Sequence, residues 1–92
     1  MEPFKVIIVE DVPLELKGTE GIFKNEIPEA EIIGTAESET SYWRLIKQQV
    51  PDLVLLDLGL GGSTTIGVEI CRQTKETYPA LKVLIFTGEI LN

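Results

Sequence analysis

The chain has no histidine and a single cysteine, Cys71, among its 92 residues. One thiol cannot close an internal disulfide, and without histidine no Cys/His zinc site can be assembled, so any bound metal must be held by oxygen. Basic residues are also scarce: 8 Lys and Arg stand against 15 Asp and Glu, a formal net charge of -7. A protein that coats nucleic acid needs cations to neutralise phosphates, and this balance argues against that class for this segment. Acidity by itself means little more than solubility. No stretch approaches the ~18 consecutive apolar residues that cross a bilayer, the longest candidates being Val6 to Val9 and Leu53 to Leu56. The N-terminal MEPFKVIIVE lacks the basic flank and small-residue cleavage site of a secretory signal. One domain over residues 1–92, in the cytoplasm and away from membranes, is the expectation.

What is present is an alternation of short apolar runs with helix-like segments. Phe4 to Val9 (FKVIIV) is apolar on successive residues, which is how a strand covered on both faces reads. It runs into Glu10, Asp11, Val12 and Pro13, where the proline fixes a loop or a first helical turn. From Leu14 to about Asn25, Leu14, Leu16, Ile22 and Phe23 fall loosely at helical spacing. Gly18 and Gly21 each weaken that helix by about 1 kcal/mol relative to Ala. Ala30 to Ala36 makes a second strand. Glu37 to Val50 then carries Tyr42, Trp43, Leu45, Ile46 and Val50 at helical intervals, with Ser38 or Thr40 as cap and Pro51 as stop. Leu53 to Leu58 (LVLLDL) is the most apolar run, broken by one carboxylate, Asp57; it predicts a central strand that delivers a charge at its C-terminal end. Gly59 to Ser63 is a loop by composition. Thr64 or Thr65 can cap a third helix bearing Ile66, Val68, Ile70, Cys71 and Thr74, and Lys82 to Phe86 is the last strand. This βαβαβαβ order predicts a parallel sheet with helices on both faces, because parallel strands need right-handed crossovers.

In open α/β sheets ligands bind beyond the carboxyl ends of the strands, where the strand order reverses. Three of the predicted strands end there in polar groups: the first in Glu10 and Asp11, the third in Asp57, the fourth in Thr87. With these strands adjacent, as in a flavodoxin-like order, the residues form one cluster. Carboxylates brought together repel, so the cluster either takes up a proton or binds a cation. An all-oxygen site with few protein ligands suits a hard ion such as Mg2+. Asp57 is suited to be a nucleophile, since a carboxylate needs no deprotonation at neutral pH, while a metal would spread the charge developing on a transferring group. Thr87 would donate its hydroxyl to a phosphoryl oxygen.

The strings Val9-Glu10-Asp11 and Leu55-Leu56-Asp57-Leu58, with Gly67 near the start of the third helix and Phe86-Thr87-Gly88, together resemble the receiver domains of bacterial two-component response regulators. Glu10-Asp11-Val12-Pro13-Leu14 and Pro51-Asp52-Leu53-Val54 followed by Leu55 to Leu58 look most like receivers of regulators with a LuxR-type helix-turn-helix. The resemblance implies a flavodoxin-like, receiver-type parallel sheet flanked by helices. It implies phosphoryl transfer to Asp57 from a histidine kinase or phosphotransfer protein, with Mg2+ held by Glu10, Asp11, Asp57 and the backbone carbonyl of Gly59. Thr87 would be the switch hydroxyl and Gly88 the small residue that keeps the pocket open. The chain departs from the family pattern in two places. The loop from Gly59 to Thr65 lacks the proline common there and looks lengthened before Gly67. The family also continues through another helix, a fifth strand bearing a lysine, and a fifth helix, so the domain reads as incomplete at its C-terminus. The lysine and the aromatic switch position therefore have no counterpart among these residues.

Simpler readings stand beside these. Asp57 could bond a nearby amide, Glu10 and Asp11 could be acids favoured by a helix start, and Thr87 could be a β-favouring residue or a cap. Gly59 and Gly88 could serve backbone geometry alone. Trp43 and Tyr42 read as packing or surface aromatics, and Cys71 as an inert core thiol. The glycine loop lacks the Gly-Lys-Ser/Thr ending of a P-loop. A haloacid-dehalogenase-type phosphatase needs a second aspartate two residues beyond the nucleophile, where Gly59 stands. A flavodoxin-like FMN site would set acids against the flavin phosphate. A pseudo-receiver or interaction fragment is the main alternative, because a fourth-strand edge left open from Lys82 to Phe86 invites pairing with a second copy.

Overall fold

Each strand predicted from sequence forms in the computed structural model, which describes residues 2–62 and 64–86. The elements run β1 (Phe4–Val9), α1 (Pro13–Glu26), β2 (Ala30–Ala36), α2 (Glu39–Gln48), β3 (Leu53–Asp57), a 3-10 turn (Leu60–Gly62), α3 (Thr64–Thr77) and β4 (Lys82–Phe86). All pairings are parallel, in the order β2-β1-β3-β4. Because β3 lies beside β1 while β2 lies on its other side, the order reverses at β1, and the crevice beyond β1 and β3 is where such a sheet places a ligand.

The central strands have two apolar faces because helices cover both sides. Ile7, Val9, Val54 and Leu56 pack with Tyr42 and Ile46 of α2 and Ile70 of α3. On the other face Val6, Ile8 and Leu55 pack with Phe23 of α1. β2 bulges against β1, the register slipping so that Val6 faces Ile32 and Ile7 faces Gly34. Gly34 lets α2 come close, since a Cβ there would stand 3.0 Å from both terminal methyls of Leu45. Tyr42 is fully buried, and its hydroxyl is 2.7 Å from the Thr74 hydroxyl, a polar link between α2 and α3 inside the core. Burial pushes the Tyr42 phenol up to about 12. Trp43 packs its ring 4.8 Å from that of Tyr42, with its indole N–H donating to Glu39, so both aromatics serve packing. Cys71 is a partly buried thiol at the margin of the same core.

Several local expectations are corrected. α2 stops at Gln48 instead of Val50: Gln49 is already extended, and the residue before Pro51 is pushed out of the helical region by the proline ring. Ser38 is the cap, in a reciprocal box with Ser41. β3 ends at Asp57, with Leu58 beyond it. α3 starts at Thr64, so neither Thr64 nor Thr65 precedes the helix as a cap. The loop after β3 contains a 3-10 turn whose Leu60 is buried. α1 differs most in packing. Of its four apolar residues at helical spacing only Phe23 is buried, while Leu14 is 80% and Ile22 59% exposed.

β2 and β4 are the edge strands among the described residues, β4 pairing there with β3 alone. Leu84 shares the face of Leu55 and Ile85 that of Leu56, yet they are 55% and 41% exposed. The open apolar edge expected from Lys82 to Phe86 is present among the described residues.

Candidate functional site

Neighbouring parallel strands bring their C-terminal ends side by side, and here both ends carry acids. Val9 of β1 pairs with Leu56 of β3, so Glu10 and Asp11 emerge next to Asp57. One carboxylate oxygen from each of Glu10, Asp11 and Asp57 lies within 4.8 Å of the others. Glu10 is 1% and Asp57 5% exposed, whereas Asp11 is partly exposed.

A backbone amide supports each acid. The Val12 N–H donates to Glu10 Oε2 at 3.0 Å, the Gly59 N–H to Asp57 Oδ1 at 3.0 Å, and the Gly61 N–H to Asp11 Oδ2 at 3.1 Å. The readings of Asp57 as an amide-bonding residue and of the acids as a cluster are both true of the geometry. Glu10 Oε1 is different, since it is buried with no hydrogen-bond partner. Burial pushes the Glu10 carboxyl up to about 7; the Val12 N–H opposes this, and the neighbouring Asp57 and Glu15 side chains add to it. A buried, unpartnered carboxylate oxygen beside a second buried acid is a position that a proton or a cation would satisfy. The donor set is all oxygen, which fits a hard divalent ion such as Mg2+.

The remaining predicted site residues fare differently. The carbonyl of Gly59 accepts the Gly62 N–H at 2.9 Å within the 3-10 turn, so one of its lone pairs is engaged by the loop itself. Thr87 and Gly88 lie outside the described residues. Three contributors escape sequence reasoning. Leu60 anchors the loop in the core, which a lone apolar residue in a glycine-rich stretch could have signalled. The amides of Val12 and Gly61 hold acids through the backbone, and no side-chain pattern announces that. A cleft of about 580 Å3 lies at the opposite end of the strands, lined by Phe4, Asp52, Tyr78 and Leu81 among others. It holds none of the three clustered acids, so its size does not make it the reactive site.

The model of the response regulator receiver domain matches residues 6–91. The chain belongs to this family. The receiver is 31% identical over 85 residues to the methanol utilization control regulatory protein MoxX of Paracoccus denitrificans, covering 92% of this chain and 37% of that protein. It is 26% identical over 84 residues to the transcriptional regulatory protein ComA of Bacillus subtilis, covering 91% of this chain and 39% of the relative. The chain thus spans about two fifths of the length of these regulators. Among solved structures, a LuxR-family two-component response regulator from an Aurantimonas species superposes with a TM-score of 0.82 at 26% identity, covering 96% of this chain and 61% of that one. The isolated receiver domain of RcsB from Salmonella enterica, solved with a phosphomimetic, has a TM-score of 0.83 at 21% identity, over 97% of this chain and 64% of its own, a likeness of fold. Receiver domains of response regulators belong to signalling proteins and are not metabolic enzymes.

Proposed function

We propose that this receiver accepts a phosphoryl group on Asp57, with Mg2+ held by Glu10, Asp11 and Asp57. The observation that supports this reading is the buried acidic cluster with its orphaned Glu10 oxygen. When bound, the ion would supply charge to the phosphoryl oxygens during transfer. Asp57 provides the nucleophile. A carboxylate oxygen forms a bond to phosphorus as the P–N bond of a phosphohistidine or phosphoramidate breaks, and the departing nitrogen takes a proton. The Gly59 N–H on Asp57 Oδ1 restrains the carboxylate, so that the attacking group enters with little orientational freedom left to lose. Nearly complete burial of Asp57 limits water around it, which protects the acyl phosphate until hydrolysis ends the signal.

The donor is a histidine kinase or phosphotransfer protein, and the output is regulation of transcription, the role of the relative ComA, a transcriptional regulatory protein of Bacillus subtilis. Thr87 would contribute the switch hydroxyl, Gly88 pocket access, and the Gly59 carbonyl a further metal ligand. The apolar edge of β4 would also let the chain associate with a second copy. Borohydride reduction of the phosphorylated protein tests the acceptor, since it converts an aspartyl phosphate to homoserine. The reading predicts homoserine at position 57 and no labelling of Asp57→Asn. Homoserine at another position, or labelling that persists in Asp57→Asn, would overturn it, and absence of all labelling would favour the non-phosphorylated interaction module.

A further inference from the structure

Two of the three amide bonds to the acidic cluster are local. Val12 reaches Glu10, and Gly59 reaches Asp57, across two residues of sequence, so each forms wherever the chain bends at a strand end. The third is not local, because the Gly61 N–H reaches Asp11 across 50 residues. Asp11 is also the most exposed of the three acids and lies past the last paired residue of β1, where the sheet no longer fixes the chain. We propose that the Gly61 amide is a positioning group for Asp11, through which the loop between β3 and α3 holds that carboxylate at the metal site. The inference rests on the metal reading of the cluster.

The loop is built to make this reach. Buried Leu60 ties it to the core, and the Gly62 N–H closes it onto the Gly59 carbonyl at 2.9 Å. Gly61 and Gly62 take φ of 71° and 77°, the left-handed region that L side chains rarely adopt. A Cβ on Gly61 would stand 2.9 Å from the Ile66 Cδ1 at the start of α3. Proline at this position would lack the amide hydrogen and could not adopt the positive φ. A carboxylate held by a charge-assisted bond before the ion arrives loses less freedom when it binds.

Two measurements test this. In the metal-free protein, amide exchange is followed at Gly61 and Gly62 with and without Asp11→Ala. Mg2+ affinity is then measured by calorimetry for the wild type, Gly61→Ala, Gly61→Asn and the helix control Gly18→Ala, with folding checked by circular dichroism. Loss of the acceptor should speed exchange at Gly61 about tenfold and leave Gly62 within about twofold. Both variants keep the amide and both place a Cβ against Ile66, so they differ in the left-handed backbone alone: Gly61→Ala should weaken Mg2+ binding about tenfold, and Gly61→Asn, which tolerates that region, should recover part of it. Gly18→Ala, whose Cβ meets nothing within 4 Å, should bind as the wild type. Unchanged Gly61 exchange, or full affinity in Gly61→Ala, would overturn the positioning role while leaving the metal reading intact. Wild-type protein that takes up no Mg2+ would overturn the metal reading, and with it the role of Gly61, even if the exchange difference persisted.

Discussion

Glu10 is the residue whose ionisation the fold opposes most clearly. Its carboxyl is raised from 4.5 to about 7, so between those values the native chain holds a proton that the unfolded chain has released. Stability from this group is therefore greatest below pH 4.5 and is lost as pH rises through about 7. Metal-free protein should unfold more easily at pH 8 than at pH 5.5. Glu10→Gln should remove that contribution and gain about 1–2 kcal/mol over the wild type at pH 8, read by urea unfolding in EDTA. An equal stability difference between the two proteins at both pH values would contradict the account. Glu10, Asp11 and Asp57 were legible in the sequence because an acid that interrupts an apolar strand, or ends one, has no packing reason to be there. Gly61 was not, because its contribution is a backbone amide that any non-proline residue possesses, and only the tertiary position of the loop gives it a target.

At the scale of elements, strands were easier to place than helix ends. Continuous β-branched and leucine runs mark β1 and β3 with little competition, whereas α2 lost two residues at its end to the restriction that Pro51 imposes on its predecessor. The α1 pattern was loose, and the structure shows why: only Phe23 is buried, with Leu14 and Ile22 exposed. Gly67 illustrates a residue whose position in sequence was informative before its reason was. A Cβ there would stand 2.9 Å from the Leu58 carbonyl oxygen and 3.3 Å from that of Asp57, so α3 approaches the end of β3 as closely as a missing side chain allows. Gly67→Ala gains in helix propensity but forces backbone to move, and should destabilise the domain by about 1–3 kcal/mol. Because the displaced carbonyl belongs to Asp57 or its neighbour, Mg2+ affinity should fall as well. Thermal unfolding together with Mg2+ calorimetry would reveal both effects, and a variant as stable as the wild type would refute the close-packing explanation.

For the whole molecule, the fold class was recoverable because four apolar segments and three intervening helices permit few parallel arrangements. The strand order was inferred from fold type, since spacing alone does not say which strand sits beside β1. The described sheet has an open apolar edge at β4, where Leu84 and Ile85 are exposed. An apolar, sparsely charged edge is a template for pairing, so this 92-residue chain in isolation should self-associate. Light scattering across a concentration series should show a mass above that of the monomer, and Leu84→Lys should shift the population toward monomer. A wild-type monomer at every concentration would remove that prediction.

The most direct test of the central claim is the intact mass of the chain after exposure to phosphoramidate, with and without Mg2+. The proposed chemistry predicts one added phosphoryl group that requires the ion and is absent from Asp57→Asn. No added mass in folded wild-type protein supplied with Mg2+, or an addition indifferent to the ion, would contradict it.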